Sequence, residues 1–278
     1  MVATPIGNLA DLSLRAIHVL SLVDAVGCED TRHSAPLLRH LGLDKPLIAL
    51  HQHNEREASA AVIARLAAGG RVAYVSDAGT PAISDPGAVL VAAVQAAGHI
   101  TVAIPGASSA IAALSVSGDT AGTAFTFTGF LPSKGGERAA ALQALADSSA
   151  TQVLFEAPHR IEALCASLAQ ACGKRVVTLC RELTKQFETV ATLPADALPA
   201  WLTADPNRLR GEFVLVVHAK PANAHADESP QHDRTLKTLL AGLPLKQAVA
   251  LAAELTGAPR NALYARALAL KNSCDKGP

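Results

Sequence analysis

One stretch of the chain, Ser76 to Gly87, has the residue types that a ligand-binding loop needs: it reads SDAGTPAISDPG. It contains two carboxylates, Asp77 and Asp85, together with two glycines and two prolines, and no lysine or arginine. Glycine and proline shape the backbone, so a ligand can approach it closely. A phosphate-binding loop would need GxxxxGK[ST] or GxGxxG, and this stretch has neither. It therefore favours a cationic or hydroxyl-rich ligand, with a structural turn capped by aspartate as the alternative.

Polar clusters also occur at four other places where a short apolar run ends. They occupy residues 4–8, 29–33, 51–55 and 105–109. The runs before them predict strands, and helical apolar patterns separate the strands, which is typical of a mostly parallel α/β sheet. The carboxyl ends of parallel strands meet at one edge, where ligands bind. We therefore expect these clusters to converge on a single site.

The apolar pattern predicts strands at 1–3, 25–28, 47–50, 72–75, 101–104, 125–128, 152–155, 175–181, 186–192 and 212–218. It predicts helices at 12–22, 33–42, 56–68, 88–97, 110–116, 136–146 and 159–171, the first of them capped by Asp11. The first strand has only Met1, Val2 and Ala3, whereas a buried parallel strand usually has about 5 residues. We therefore expect the natural chain to start upstream, or this version to be less stable than a longer one.

These elements predict two α/β domains, 1–118 and 123–220, the second with a mixed sheet because its last strands lack long helices between them. Residues 221–233 are polar and predict a linker, and 234–272 predict a helical tail. Within the tail, two short predicted helices around a tight turn at Gly257 resemble a helix-turn-helix. Its Arg260, Arg266 and Lys271 could contact RNA phosphate, and a cap packed on the body is the alternative.

Composition limits the class of protein. The 278 residues carry no formal net charge, and half of them are hydrophobic, so a large core is available but no whole-chain basic field is. The five cysteines are scattered without a CxxC pair, which favours a reduced, cytoplasmic protein without a disulfide frame or zinc cluster. No apolar run has the length of a membrane span, and no signal segment opens the sequence.

Seven motifs occur in one order along the chain: TPIGNL at 4–9, EDTR at 29–32, HNE at 53–55, SDAGTP at 76–81, GFLP at 129–132, FEAPHR at 155–160 and RELTK at 181–185. Together they resemble the ribosomal RNA small subunit methyltransferase I family, a branch of the tetrapyrrole methylase superfamily. The resemblance implies two α/β domains of the class III methyltransferase type with a small helical module, and a homodimer. It also implies S-adenosylmethionine as methyl donor and, as acceptor, the 2′-hydroxyl of a cytidine in the decoding region of small-subunit (16S) rRNA.

Methyl transfer of this kind is an in-line displacement at a sulfonium methyl. The leaving group is already good, so most of the catalysis can come from holding the two reactants in line. We expect no metal. His51 and His53 would lie on opposite faces of an extended segment, which is poor geometry for one ion.

The resemblance assigns one set of residues to the donor: Pro5, Gly7, Asp77, Gly79, Ser108, Ser109 and Pro158. Asp77 matches the family's loop carboxylate and could accept hydrogen bonds from the donor's ammonium or ribose hydroxyls. Ser108 and Ser109 would place small polar groups and a helix N-terminus near its carboxylate. Turn formation alone is the alternative for the glycines and prolines.

A second set is expected to bind the acceptor: Asp30, Arg32, His53, Asn54, Glu55, Glu156, His159, Arg160 and Arg181. The arginines could hold phosphates, which position an RNA without reading its sequence. A 2′-hydroxyl is a weak acid, so a base should assist. Lys185, Glu29 and Glu182 are the candidate bases, and spacing does not choose among them. The alternative is that Arg181, Glu182 and Lys185 form a solvated ion-pair group.

Two other functions remain open at this point. One is methylation of a tetrapyrrole or another small acceptor on the same fold, and the other is a non-catalytic ribosome-assembly factor. The charged clusters favour RNA over a tetrapyrrole, and the resemblance implies small-subunit rRNA as the partner. The neutral net charge favours its recognition within the assembled 30S particle. With one tryptophan and two tyrosines, wide base stacking is not expected.

Overall fold

The computed structural model describes residues 1–51, 54–220 and 230–274. One compact unit runs from Met1 to Ala219, and the rest of the described chain belongs to a second unit. Within the first unit, the division into domains 1–118 and 123–220 stays a prediction.

The first sheet has three parallel strands in the order β2-β1-β3. Their bounds are Ala25–Cys28 for β1, Leu47–Ala49 for β2 and Val72–Val75 for β3. The central strand, β1, is buried at all four positions, as expected for a parallel strand covered on both faces.

The predicted strands at 1–3 and 101–104 are wrong as regular strands. Val2 forms single parallel bridges with Val75 and with Ile104, and the ladder does not continue from either. The side chains of Ile100 and Val102 are exposed instead of lying in a sheet interior. This segment therefore extends the sheet edge by isolated hydrogen bonds only.

Five helices accompany the first sheet: α1 Leu14–Leu22, α2 Thr31–His40, α3 Glu55–Ala67, α4 Ala88–Ala96 and α5 Ser109–Val116. The predicted cap of α1 by Asp11 is wrong, because Asp11 ends a short 3₁₀ helix, Leu9–Asp11. Ser13 is the actual N-cap, and its hydroxyl accepts a hydrogen bond from the backbone N–H of Ala16 at 3.1 Å.

The second sheet has five strands in the order β4-β5-β8-β6-β7, and the predicted mixed topology is confirmed. Only β4 and β5 are parallel, and the other three pairs are antiparallel. The strands are β4 Phe125–Phe130, β5 Thr151–Glu156, β6 Val176–Arg181, β7 Thr189–Pro194 and β8 Phe213–Val217. The helices are α6 Gly135–Asp147, α7 Ile161–Cys172 and α8 Leu198–Thr203, the last of which the sequence pattern did not predict.

A shared apolar cluster joins the loops of the first half to the second sheet. Ile6 and the α5 residues Ala110 and Ala113 pack with Val153 and Val214 of the second sheet. Burial of this cluster fixes the loops at the strand ends of the first sheet against β5 and β8. The candidate site lies along this contact.

Over its described residues, the second unit contains three helices, α9 Pro230–Leu240, α10 Leu245–Thr256 and α11 Arg260–Cys274. They share a core that includes Leu236, Val249 and Leu263. Gly257 ends α10 in the left-handed conformation, with φ of 70°, which glycine adopts without strain. Arg266 donates from Nε and Nη2 to the two carboxylate oxygens of Asp233 at 2.8 Å each, so it is paired inside its own unit.

None of the helices in the described ranges has both the length and the apolar character that a membrane crossing requires.

Candidate active site

Two neighbouring strand ends bring together residues that are far apart in the sequence. Cys28 pairs with Val75 at the end of the β1–β3 register, so the segments after them leave the sheet side by side. The backbone N–H of Asp30 donates to Oδ1 of Asp77 at 3.2 Å, and Oδ2 of Asp77 lies 2.7 Å from Nδ1 of His33. The Asp77 side chain therefore ties the start of α2 to the loop after β3.

The loop after β3 is also held to the N-terminal turn. Thr4 and Gly79 form an antiparallel bridge through two backbone hydrogen bonds of 2.9 and 3.1 Å. Gly79 has φ of +81°, a conformation that side chains rarely adopt, and Ile6 packs next to its Cα. The hydroxyl of Thr80 donates to the carbonyl of Ala107 at 3.0 Å. These bonds bring three of the predicted polar clusters into one interlocked surface.

An apolar cavity of about 370 Å³ lies on one side of this surface. Four of the predicted donor residues line it, Gly79, Ser108, Ser109 and Pro158, together with the predicted acceptor residue Glu156. Its remaining wall comes mainly from apolar side chains of the loops of the first half and of the second sheet, with some polar groups: Ile6, Ala78, Thr80, Ile83, Ser84, Asp85, Phe130, Phe155, Ala157, Leu183, Glu212, Phe213 and Val214.

A charged cavity of about 360 Å³ lies on the other side. The other three predicted donor residues line it, Pro5, Gly7 and Asp77, together with the candidate base Lys185. Its remaining lining is Thr4, Ile6, Leu9, His33, Ser34, Pro36, Leu37, Ser76, Ala78 and Glu212. The two cavities thus share Ile6, Ala78 and Glu212 as a common wall. The predicted donor set is divided between them.

Lys185 is held as a cation in the charged cavity. Its Nζ lies 2.9 Å from Oε1 of Glu182 and 2.9 Å from Oε2 of Glu212. Partial burial opposes the charged form, but the bonds to Glu212 and Glu182 outweigh it and raise the pKa of Lys185. Burial likewise opposes the charge of Glu182, and its bonds from the Glu212 N–H and Lys185 lower its pKa. These environments disfavour the base role for both residues.

Glu29, the third candidate base, follows β1. Partial burial, and then the charges of Asp77 and Asp85, raise its pKa. Glu29 is not among the described residues that line either cavity. It therefore contributes charge near the site rather than a surface of it.

Three predicted acceptor residues brace the second sheet. Arg181 is 9% exposed, and its Nε and Nη1 donate to the carbonyls of Arg210 and Phe187 at 2.6 and 3.0 Å. Nη2 of Arg160 donates to the carbonyl of Leu131 at 2.7 Å, and its Nε lies 3.1 Å from Oε1 of Glu156. With these donors used by backbone carbonyls and by the Glu156 carboxylate, neither arginine has the free fork that a phosphate needs.

Four more predicted acceptor residues are engaged near α3 and α2. Oε1 of Glu55 accepts from the backbone N–H groups of Gly87, Val89 and Leu90, at the start of α4. Asn54 accepts from the His51 N–H and donates to the carbonyl of Ala49. The Arg32 side chain, which is exposed, pairs with Asp30 and lowers the pKa of Asp30 to about 2. His159 is exposed, and His53 lies outside the described residues.

Among the titratable residues that line the charged cavity, the sequence reasoning missed His33 and Glu212. His33 directly follows the EDTR motif and lies in the first turn of α2, where a strand-end cluster was already expected. Glu212 carries no local signal, because its partners Lys185 and Glu182 are 27 and 30 residues away in the sequence. Across residues 1–51, 54–220 and 230–274, no group of three or more His, Cys, Asp or Glu side chains could hold a metal ion.

Residues 1–199 match the family model for Tetrapyrrole (Corrin/Porphyrin) Methylases, and residues 226–271 match the RsmI C-terminal HTH domain. The ribosomal RNA small subunit methyltransferase I of Pseudomonas aeruginosa is 48% identical over 271 residues, which cover 96% of this chain and 95% of that protein. The protein of the same name from Escherichia coli O157:H7 is 45% identical over 269 residues, covering 96% and 93%.

Solved structures share the fold at low identity. Cobalt precorrin-4 methyltransferase superposes with a TM-score of 0.58 at 16% identity, covering 77% of this chain and 92% of that one. A Thermus thermophilus uroporphyrin-III C-methyltransferase complexed with S-adenyl homocysteine gives 0.53 at 15% identity, covering 77% and 94%. Since the high-identity relatives match this chain over nearly their whole length, the chain belongs to the ribosomal RNA small subunit methyltransferase I family of the tetrapyrrole methylases.

Proposed function

We propose that this chain transfers the methyl group of S-adenosylmethionine to the ribose 2′-oxygen of a cytidine in the decoding region of small-subunit rRNA. The observation that carries the proposal is the pair of adjoining cavities at the strand ends, separated by Ile6 and Ala78. Two reactants held on either side of this wall would meet at its edge. The names of the relatives at 44–48% identity support small-subunit rRNA as the acceptor.

The apolar cavity fits S-adenosylmethionine. Its volume is within the range of about 300–1,000 Å³ that small-molecule sites have, and Phe155 and Leu183 offer apolar surface for an adenosine group. Oε2 of Glu156 is buried and has no hydrogen-bond partner in the described part of the chain, so a donor group of a ligand could satisfy it. The hydroxyl of Ser108 makes no capping bond to α5, which leaves the start of this helix open to a carboxylate.

The residues of this cavity would bind and orient the methyl donor. S-adenosylmethionine supplies a methyl group on a cationic sulfur, so the protein need only align an oxygen with it and exclude competing water. Gly79 permits close approach of the loop backbone. Asp85 adds a carboxylate near the cationic centre, although burial, followed by repulsion from Asp77, raises its pKa.

The charged cavity would receive the acceptor nucleotide. Its lining includes His33, Asp77 and Lys185 together with the turn at Pro5 and Gly7. With Lys185 neutralised by two carboxylates, this cavity offers a polar pocket for a ribose rather than a strong phosphate site. Phosphate contacts would have to come from elsewhere, and the second unit is the candidate because its Arg260 and Lys271 are exposed.

We also propose that the enzyme acts on the assembled small subunit and that it is a homodimer. The chain has no net charge, so a general attraction to any RNA is not expected. This supports recognition of an assembled particle through local surfaces. Large apolar side chains are exposed on or beside the two edge strands β4 and β7: Phe125, Phe130, Phe187 and Val190. Light scattering on the purified chain tests the dimer, and a monomer mass would contradict it.

The test of the function is methyl incorporation from labelled S-adenosylmethionine into small subunits that lack this modification. Parallel samples contain naked rRNA and a tetrapyrrole precursor. We expect label in the assembled subunit only, and mass spectrometry of nuclease fragments should place it on a cytidine ribose. Label in the tetrapyrrole, or in a base instead of a ribose, would contradict the proposal. Donor binding by calorimetry without any methyl transfer would favour a non-catalytic assembly factor.

A further inference from the structure

His33 lies at the charged cavity, where we place the acceptor nucleotide. It lies in the first turn of α2 and lines the charged cavity, and its side chain is 65% exposed. Its partner, Asp77, directly precedes Ala78, which belongs to the wall shared with the apolar cavity. The bond to Asp77 thus ties the ring to the segment that forms this wall, where an acceptor oxygen would be aligned with a donor. Resting on the function proposed above, we propose that His33 is the catalytic base that takes the proton of the 2′-hydroxyl and that Asp77 is its positioning residue.

The hydrogen bond to Asp77 determines which ring nitrogen can act. A carboxylate oxygen only accepts hydrogen bonds, so in the neutral ring Nδ1 carries the hydrogen and donates it to Oδ2 at 2.7 Å. The lone pair is then on Nε2, for which we find no hydrogen-bond partner among the described residues. A carboxylate that orients a histidine through Nδ1 is the arrangement that general bases commonly use.

The other titratable groups around the charged cavity are committed to other bonds. Lys185 and Glu212 bind each other across the cavity, and Glu182 binds both. Asp30 and Arg32, beside His33 on α2, form an ion pair. The hydrogen bond to Asp77 and then its charge raise the pKa of His33, Asp30 adds to this effect, and Arg32 opposes it. A base whose pKa is near the working pH transfers protons most effectively.

The step balances in atoms and charge. The 2′-hydroxyl gives its proton to Nε2 of His33, and its oxygen forms the new bond to the donor's methyl carbon. The electron pair of the broken carbon–sulfur bond stays on sulfur. The products are a 2′-methyl ether, a neutral thioether and an imidazolium, which Asp77 stabilises until the proton passes to water. The positive charge of the sulfonium has thus moved to the histidine.

The test compares wild type with His33→Asn in single-turnover methylation of small subunits between about pH 5 and pH 9. The asparagine amide can still donate to Asp77 from nearly the position of Nδ1, but it has no basic atom at the position of Nε2. The control is His40→Asn, an exposed histidine in the last turn of the same helix. Donor affinity is measured by calorimetry for all three proteins.

We expect the wild-type rate to rise with pH and to level off above the pKa of His33. His33→Asn should lower the plateau by about 100-fold or more and remove this inflection, with donor affinity unchanged. A purely structural bond to Asp77 would be kept by the asparagine and would leave the pH profile intact. Full activity with an unchanged inflection in His33→Asn, beside an active wild type, would overturn the base role alone. No methylation of small subunits by wild type would overturn the proposed function, and the base role with it.

Discussion

The backbone of Gly7 lies directly against the side chain of Lys185, so that a Cβ on residue 7 would overlap Cγ of the lysine and approach Oγ1 of Thr184. This contact joins the N-terminal turn to the loop after β6. It also fixes the course of the Lys185 side chain toward Glu182 and Glu212. The absence of a side chain at position 7 is therefore part of how the charged cavity is built.

Gly7→Ala should displace Lys185 and weaken its two ion pairs. Because a misplacement of about 1 Å near reacting groups can cost up to about 100-fold in rate, we expect methyl transfer to fall by about 10- to 100-fold. Donor affinity should change little, since Gly7 lines the charged cavity and not the apolar one. Single-turnover rates and calorimetry measure the two quantities.

The matched control is Gly136→Ala in the first turn of α6, where an added Cβ meets no atom within 4 Å. Alanine favours a helix over glycine by at most about 1 kcal/mol, so this variant should be as active as wild type and slightly more stable. An equally small effect of Gly7→Ala would show that the Lys185 side chain can move without consequence.

Asp77→Asn should shift the pH dependence of methyl transfer. Asp77 raises the pKa of His33, so in wild type the neutral form of the ring appears only at higher pH. Without this charge the pKa falls, and the midpoint of the rate profile should move to lower pH. The plateau should also fall, because an amide holds the ring orientation less strictly. NMR titration of His33 in both proteins measures the pKa shift directly.

Donor binding by the same variant separates two roles for Asp77. The family resemblance assigned this carboxylate to S-adenosylmethionine, whereas its bonds in the structure go to His33 and the N–H of Asp30. We expect donor affinity to be nearly retained in Asp77→Asn. Loss of donor binding, with an unchanged midpoint of the pH–rate profile, would support the assignment of Asp77 to donor binding instead.

Glu55→Ala should lower stability more than activity. Its Oε1 accepts three backbone N–H groups at the start of α4, and removal of such a cap costs about 0.5–2 kcal/mol. Denaturant unfolding measures the loss, with Glu57→Ala, an exposed glutamate in the same turn of α3, as control. If Glu55→Ala unfolds like wild type but binds small subunits more weakly, Glu55 acts in acceptor binding, as the sequence predicted.

A chain that ends at Lys220 should fold and bind S-adenosylmethionine but methylate small subunits much more slowly. The first unit has its own hydrophobic clusters, and the helices α9, α10 and α11 share a separate one. Removal of exposed cations such as Arg260 and Lys271 would also reduce the salt dependence of subunit binding. Full methylation by the truncated chain would contradict a docking role, and failure to fold would show that the helices belong to the core.

The sequence alone determined most elements of the first unit and the family. Short apolar runs at 25–28 and 72–75 are strands in the structure because burial on both faces requires continuous apolar residues. Their ends meet at one edge because parallel strands share direction, and this placed Asp77 near the residues after β1. The ordered motifs predicted the family, and the near-full-length relatives confirm it. The segment at 101–104 was apolar enough for a strand but lacks a partner ladder, which periodicity does not reveal.

Only the tertiary structure decided what each polar side chain of the site does. Glu55 binds the start of α4, Lys185 binds Glu212, and Arg181 binds the carbonyl of Arg210 across separations of 32, 27 and 29 residues. Within the cluster at 29–33, His33 is the residue whose side chain binds the Asp77 carboxylate, and Asp77 is 44 residues away in the sequence. A strand-end pattern brings such residues to the same edge of a sheet. It does not choose their partners, because hydrogen bonds act over about 3 Å and depend on rotamers and loop packing that long-range contacts set.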